Sequence, residues 1–289
     1  MTPNGSQAHK ARELTRLSAL EMVAALGCGD APALVRRGLA LPFWAASRRL
    51  GETLALLDGS LESQGLPAAA EQALTRCGVA LQLSGSRIPG GACVILANHP
   101  GAYDALALMW AIGRQDLLIL AADRRFLRAL TGLSAAHLGF VGERPGERAA
   151  ALKRCLRWLR RGGAVLHFPA GAIEPDADFA STSSPLLGSW QPGVPALVKA
   201  CARASGRVLL AGVRGVHSPR AKRLLLTRLA ERRGITTLSP LLQLVRGLRD
   251  VKASIGLVEA TPAAELGLLD DQELVERLRG ALLNAILTA

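Results

Sequence analysis

Ile95-Leu96-Ala97-Asn98-His99-Pro100-Gly101-Ala102-Tyr103-Asp104 is the stretch on which the fold turns. The apolar run Ala92 to Ala97 reads as a buried strand ending at Asn98. Pro100 suits the first turn of a following helix, where its missing N–H has no partner to lose. His99 then stands at a strand-to-helix turn, on the carboxyl edge of a sheet, where α/β proteins place their sites. On one continuous helix, residues five apart point away from each other by roughly 140°. With His99 outside the helix and Asp104 in its first turn, the two side chains meet. The carboxylate then accepts from one imidazole nitrogen, fixes the tautomer and stabilises the imidazolium that forms. By itself this spacing is a weak signal, because a histidine at a strand end is often only a hydrogen-bonded cap.

Outward from this stretch, short apolar runs alternate with helix-like ones. Val79 to Leu83 and Ala92 to Ala97 suggest two strands joined by a turn through Ser84-Gly85-Ser86 and Pro89-Gly90-Gly91. Further strands are expected at Leu117 to Ala121, His137 to Val141, Ala164 to Phe168, Val208 to Val213 and Val251 to Val258. Between them, helices are expected at Ala105 to Ile112, Leu127 to Leu133, Glu147 to Arg161 and Val194 to Ala204. A basic helix over Pro219 to Arg233, another over Leu238 to Leu248 and a final one from Asp270 complete the pattern. Such alternation predicts an α/β fold, a mostly parallel central sheet with helices on both faces. Residues 1–77 read differently. Leu14, Leu17, Leu20 and Val23 to Leu26 recur at helical spacing and stop at Gly27-Cys28-Gly29-Asp30, and a second helical stretch begins after Pro32. The chain thus divides into an N-terminal helical segment, 1–77, and an α/β domain, 78–289. The polar loop Pro175 to Pro192 is the one long loop.

Composition narrows the function. With 49% hydrophobic and 20% charged residues among 289, the chain has material for a sizeable core. Aromatics at 3% argue against the stacking platforms of single-strand nucleic-acid binders. The net charge of +12 implies an anionic partner, such as nucleic acid, a membrane leaflet, a phosphorylated substrate or an acidic carrier protein. An Arg-rich habit of composition accounts for part of that excess. Five scattered cysteines without a C-x-x-C pair suggest reduced thiols, with no disulfide framework and no metal site. The polar start and the lack of eighteen consecutive apolar residues predict neither signal peptide nor bilayer-spanning helix. The segment Arg36 to Arg49, an apolar centre with Phe43 and Trp44 between two Arg pairs, has the make-up of an interfacial anchor, or of a buried helix with solvated ends. G-x-S-x-G, G-K-[ST] and H-E-x-x-H are absent.

Three strand ends, counting the one that carries the His99–Asp104 pair, are expected to share one sheet edge. Gly139-Phe140-Val141-Gly142-Glu143-Arg144 delivers an Arg whose fork suits a phosphate. Val165-Leu166-His167-Phe168-Pro169-Ala170-Gly171 ends in a Pro-x-Gly turn able to aim backbone N–H groups at an anion. His137 and His167, inside apolar runs, read as core histidines, and His217 as a cap of the basic helix.

Asn98-His99-Pro100 through Asp104, then Phe140-Val141-x-x-Arg144, Phe168-Pro169-x-Gly171 and the strand Val208 to Val213 together resemble the four ordered blocks of the lysophosphatidate and glycerol-phosphate acyltransferase superfamily. The resemblance covers about Gly78 to Val258. It implies transfer of an acyl group from acyl-CoA or acyl carrier protein as co-substrate, without a cofactor, to a lysolipid or glycerol-phosphate-type acceptor. It implies His99 as base and Asp104 as its orienter. Arg144 with Phe168, Pro169 and Gly171 would form the acceptor's phosphate site, and the N-terminal helices would rest on the inner face of a membrane. The chain departs from the family in its third block, which usually reads F-P-E-G-T-R and here reads Phe168-Pro169-Ala170-Gly171-Ala172-Ile173. Glu174, four positions past the missing carboxylate, substitutes for it if the loop folds back. The departure opens a second expectation, an acceptor without a phosphate, such as an amino-lipid or a sugar. A third is a non-catalytic protein that binds anionic lipid or nucleic acid, against which the low aromatic content and the ordered blocks count.

Overall fold

The structure is a computed structural model that describes residues 5–101, 103–142, 144–181, 185–224, 227, 238–260 and 262–289. It contains two compact units: Met1–Ala80 with Arg124–Ser134 and His217–Lys252, and Leu81–Asp123 with Ala135–Val216 and Ala253–Ala289.

In the first unit, helix Gly5–Val23 lies along helix Trp44–Gln64. A Cβ on Gly51 would stand 2.6 Å from the backbone nitrogen of Thr15, so only glycine permits this approach. Buried Asp58 ties the unit together, accepting from Lys10 Nζ at 2.6 Å and from the Leu133 backbone N at 2.8 Å. The first helical run does stop at Gly27, where φ is +80°. Helix Ala33–Ala40 and the turn Leu41–Phe43 then follow. Ser218, not His217, caps helix Pro219–Arg223, its Oγ accepting from Ala221 N at 3.1 Å. Most of the remaining basic stretch, through Arg233, lies outside the described residues.

The second unit holds most of a seven-stranded sheet: β1 Ala80–Ser84, β2 Cys93–Ala97, β3 Leu117–Ala122, β4 Leu138–Val141, β5 Ala164–His167, β6 Arg207–Arg214 and β7 Lys252–Glu259. Their order is β1-β7-β6-β2-β5-β3-β4. The pairs β6–β2, β2–β5, β5–β3 and β3–β4 are parallel, and β6–β7 is antiparallel. The expected mostly parallel sheet with surrounding helices, after a helical N-terminal segment, is the architecture of this chain. Alternate residues Val94 and Leu96, Val165, Val208 and Leu210 join Leu159, Leu197, Leu274 and Leu278 in one core. Ile95 and Leu166, between them, are equally buried, so the central strands read as unbroken apolar runs.

Two expectations need correction. The first two strands do not form a hairpin: β7 and β6 separate β1 from β2. All five residues of β2 are buried and demand neighbours on both sides, whereas β1 alternates between exposed and half-buried, as befits an edge. The helix expected at Leu127 to Leu133 is two short ones, Arg125–Ala129 and Thr131–His137.

Candidate active site

The sheet puts the four sequence blocks at one edge. β2, β4, β5 and β6 are mutually parallel through their neighbours, so all four end on the same side. Beyond β2, Asn98 continues the pairing with β6 through its side chain. Its Nδ2 donates to Val213 O at 2.8 Å and its Oδ1 accepts from Val213 N at 2.7 Å. Gly101 (φ +89°) then turns the chain, and the helix begins at Asp104, later than Pro100 suggested.

That turn brings His99 Nδ1 to 2.7 Å from Asp104 Oδ2. Asp104 also accepts from Gly101 N on Oδ2 at 2.7 Å and from Ala105 N on Oδ1 at 2.6 Å. A carboxylate with three donors around it can only accept, so Nδ1 carries the imidazole proton and Nε2 keeps its lone pair. The Asp104 side chain is 2% exposed and that of His99 28%, which hides the carboxylate and leaves the imidazole accessible. Burial pulls the His99 pKa down, but the charge and hydrogen bond of Asp104, with the charge of Glu174, outweigh it, and the net shift is upward. The Phe168 ring, 4.4 Å from the imidazole between centroids and tilted by 31°, fixes the ring plane.

The third block folds back on itself. Gly171 (φ +66°) donates its N–H to Phe168 O at 3.0 Å, so that N–H closes the turn and is not aimed outward at an anion. Gln191 holds the carbonyls of Pro169 and Ala170, through its N at 2.8 Å and its Nε2 at 3.2 Å. Glu174 does reach His99. Its Oε2 accepts from His99 N at 2.9 Å, its Oε1 from Gly188 N at 2.7 Å, and its own N donates to His99 O at 2.8 Å. Desolvation raises the Glu174 pKa, against the opposing pull of those two N–H donors, His99 and Arg279.

Arg144 stands apart. Its side chain is 83% exposed and paired with Glu147, Nε to Oε1 at 2.8 Å, at the start of helix Pro145–Arg160. It follows β4, three strands from β2, a lateral separation of about 14 Å at the usual strand spacing. His137 Nδ1 donates to Leu117 O at 3.0 Å, and burial pushes the His167 pKa down to about 4, as for a neutral imidazole held in the core. Gly188, Gln191 and Arg279 had no role in the sequence reading, and Asn98 only that of ending a strand and opening the first block. Gly188 and Gln191 lie in the polar loop and Arg279 on the last helix, where spacing gives no signal.

Fold and site together define an α/β protein with an oriented histidine at the carboxyl edge of a mostly parallel sheet. Residues 80–208, which contain that histidine, match the family model described as Acyltransferase. Among solved structures, the chain is similar to the 1-acyl-sn-glycerophosphate (LPA) acyltransferase PlsC from Thermotoga maritima, at 14% identity and a TM-score of 0.49, over 97% of this chain and 98% of that one. No curated protein matches.

Proposed function

We propose that the protein transfers a fatty acyl group from a thioester, acyl-CoA or acyl carrier protein, to the hydroxyl of a lysophospholipid or glycerol-phosphate-type acceptor. His99 Nε2 takes the hydroxyl proton as the acceptor oxygen bonds to the thioester carbonyl carbon. The C–S bond then breaks, and the imidazolium returns its proton to the leaving thiolate. Asp104 keeps Nδ1–H as a donor and stabilises the charged ring between the two steps. The observation that carries this is the 2.7 Å contact between a buried carboxylate and an accessible imidazole, inside the residues that match the Acyltransferase family model. The test is acyl transfer over a panel of lysolipids with both donor types. Wild type is expected to form ester, and His99→Ala to lose about 10²- to 10⁴-fold in kcat with its circular dichroism unchanged. An active, folded His99→Ala protein refutes the role.

A second acceptor class, without phosphate, draws support from Arg144, which is exposed and engaged by Glu147, and from Ala170 in the third block. An Arg144→Ala variant with unchanged KM for phosphate-bearing acceptors favours that class.

Work on a lipid surface fits the first unit. Leu41 and Trp44, between Arg36-Arg37 and Arg48-Arg49, are 71% and 49% exposed, and Leu34 and Val35, just before the first pair, are 80% and 50% exposed. Such a ridge suits peripheral attachment to an anionic leaflet. Among the described residues, no helix is long and apolar enough to cross a membrane.

A further inference from the structure

We propose that Glu174 is a positioning residue for His99, one that holds the backbone of the base and makes no contact with the acceptor. The role rests on the reading of His99 as base. Glu174 is 5% exposed, and both carboxylate oxygens already face backbone donors, Oε2 the His99 N–H at 2.9 Å and Oε1 the Gly188 N–H at 2.7 Å. Its own N–H returns a bond to His99 O at 2.8 Å, so the residue brackets the His99 backbone from both sides. A buried carboxylate so occupied is oriented inward, toward the chain that carries the base.

The carboxylate also occupies the ground that the third block leaves vacant. A Cβ built on Gly188 would lie 3.2 Å from Ala170 Cβ and 3.7 Å from Glu174 Oε1. The side chain of Glu174 therefore reaches back beside position 170, where the resemblance expects Glu and this chain has Ala. Small Ala170 leaves the room, and a loop four residues longer in reach supplies the charge. Arg279 fixes the far wall, its guanidinium donating to Gly188 O and to Leu187 O.

The charged groups that bear on the His99 ring are Asp104, from the helix after it, and Glu174, from the loop; both raise its pKa against the effect of burial. Arg279, on the C-terminal helix, acts on Glu174. Removing the Glu174 charge should lower the His99 pKa, and the acid limb of kcat/KM should move to lower pH.

The experiment compares wild type, Glu174→Gln and Glu174→Ala in kcat, in KM for acceptor and donor, and in the pH profile, with His99 titrated independently by NMR. Gln keeps the volume, but its NH₂ would face one of the two N–H donors. We expect kcat to fall about tenfold for Gln and further for Ala, with both KM values within about twofold of wild type. The acid limb and the NMR titration of His99 should both move down. Glu added at 170 in the Glu174→Ala background (Ala170→Glu) should restore part of kcat. A raised acceptor KM at unchanged kcat would make Glu174 a substrate contact. An unmoved His99 titration in folded Glu174→Gln would reduce it to a structural residue, and either result overturns the proposal. Wild type without acyl transfer defeats the reading of His99 itself; an active wild type with an unmoved titration defeats only Glu174.

Discussion

At His99 the balance of forces is set by one carboxylate. Three donors converge on Asp104, which is 2% exposed, so its oxygens are committed before any substrate arrives. Replacing it with Asn keeps the shape but puts an NH₂ where Nδ1–H or the Gly101 N–H must donate, and the favoured imidazole tautomer reverses. We expect Asp104→Asn to lower kcat by about 10²-fold or more, as misoriented bases do. The pH profile gives a second readout. The folded His99 pKa is raised from its ordinary value, and a general base must be neutral to act, so on the proposed role the rate should fall as pH drops through that raised value. In Asp104→Asn the acid limb should move down. The linked stability has the opposite sense: what His99⁺ contributes to the fold is present in full below the unfolded pKa and vanishes as pH rises through the folded one. A kcat/KM profile of wild type with no acid limb above the ordinary imidazole range would contradict this electrostatic account.

The strand-to-helix turn works only because two elements, β2 and β6, are locked at their ends. Asn98 carries that lock, 1% exposed, with both halves of its amide on Val213. Asn98→Ala deletes two hydrogen bonds and leaves a buried N–H and C=O unpaired, a cost of about 2–4 kcal/mol. Urea unfolding should show the midpoint fall at unchanged m; a loss below about 0.5 kcal/mol would mean that the strand ends close without Asn98. At this scale the sequence was legible where a pattern was local. The apolar runs of β2, β5 and β6, the strand-turn placement of His99 and the helix from Asp104 follow from neighbouring residues alone. Strand order does not. The turn-like residues Ser84 to Gly91 suggested a hairpin, but burial of β2 on both sides, which decides its partners, is a property of distant strands. The end of β4 likewise predicted an Arg at the sheet edge, while how far along that edge it lies depends on β3 and β5 intervening. Glu174 was readable as a candidate because it sits near the defective block. Its partners His99 and Gly188 lie 75 and 14 residues away, beyond the reach of local pattern.

Over the whole molecule, a charge of +12 combines with an apolar ridge that water should not favour. In the first unit a cleft of about 510 Å³ is lined by Lys10, Arg16, Arg125 and Arg128 with Glu13 as its acid, so positive charge is concentrated there as well as beside the ridge. On the proposed attachment to an anionic leaflet, the apolar side chains would be buried, and each Arg or Lys near the surface would add about 1 kcal/mol that salt can screen. Burying Leu41 and Trp44 contributes about 2 kcal/mol each, so the paired substitution Leu41→Ser and Trp44→Ser should weaken vesicle binding by about 10²-fold or more. Sedimentation with phosphatidylglycerol and phosphatidylcholine vesicles separates the two contributions. Wild type should bind the anionic vesicles more tightly, lose that preference as salt rises from about 0.05 to 0.5 M, and keep a residual affinity that the Leu41/Trp44 variant lacks. Acyl transfer to a monomeric short-chain acceptor should be unchanged in that variant, because neither side chain belongs to the unit that holds His99. Vesicle binding that ignores both salt and the two substitutions would leave the ridge without a lipid role and return the excess of arginine to a habit of composition.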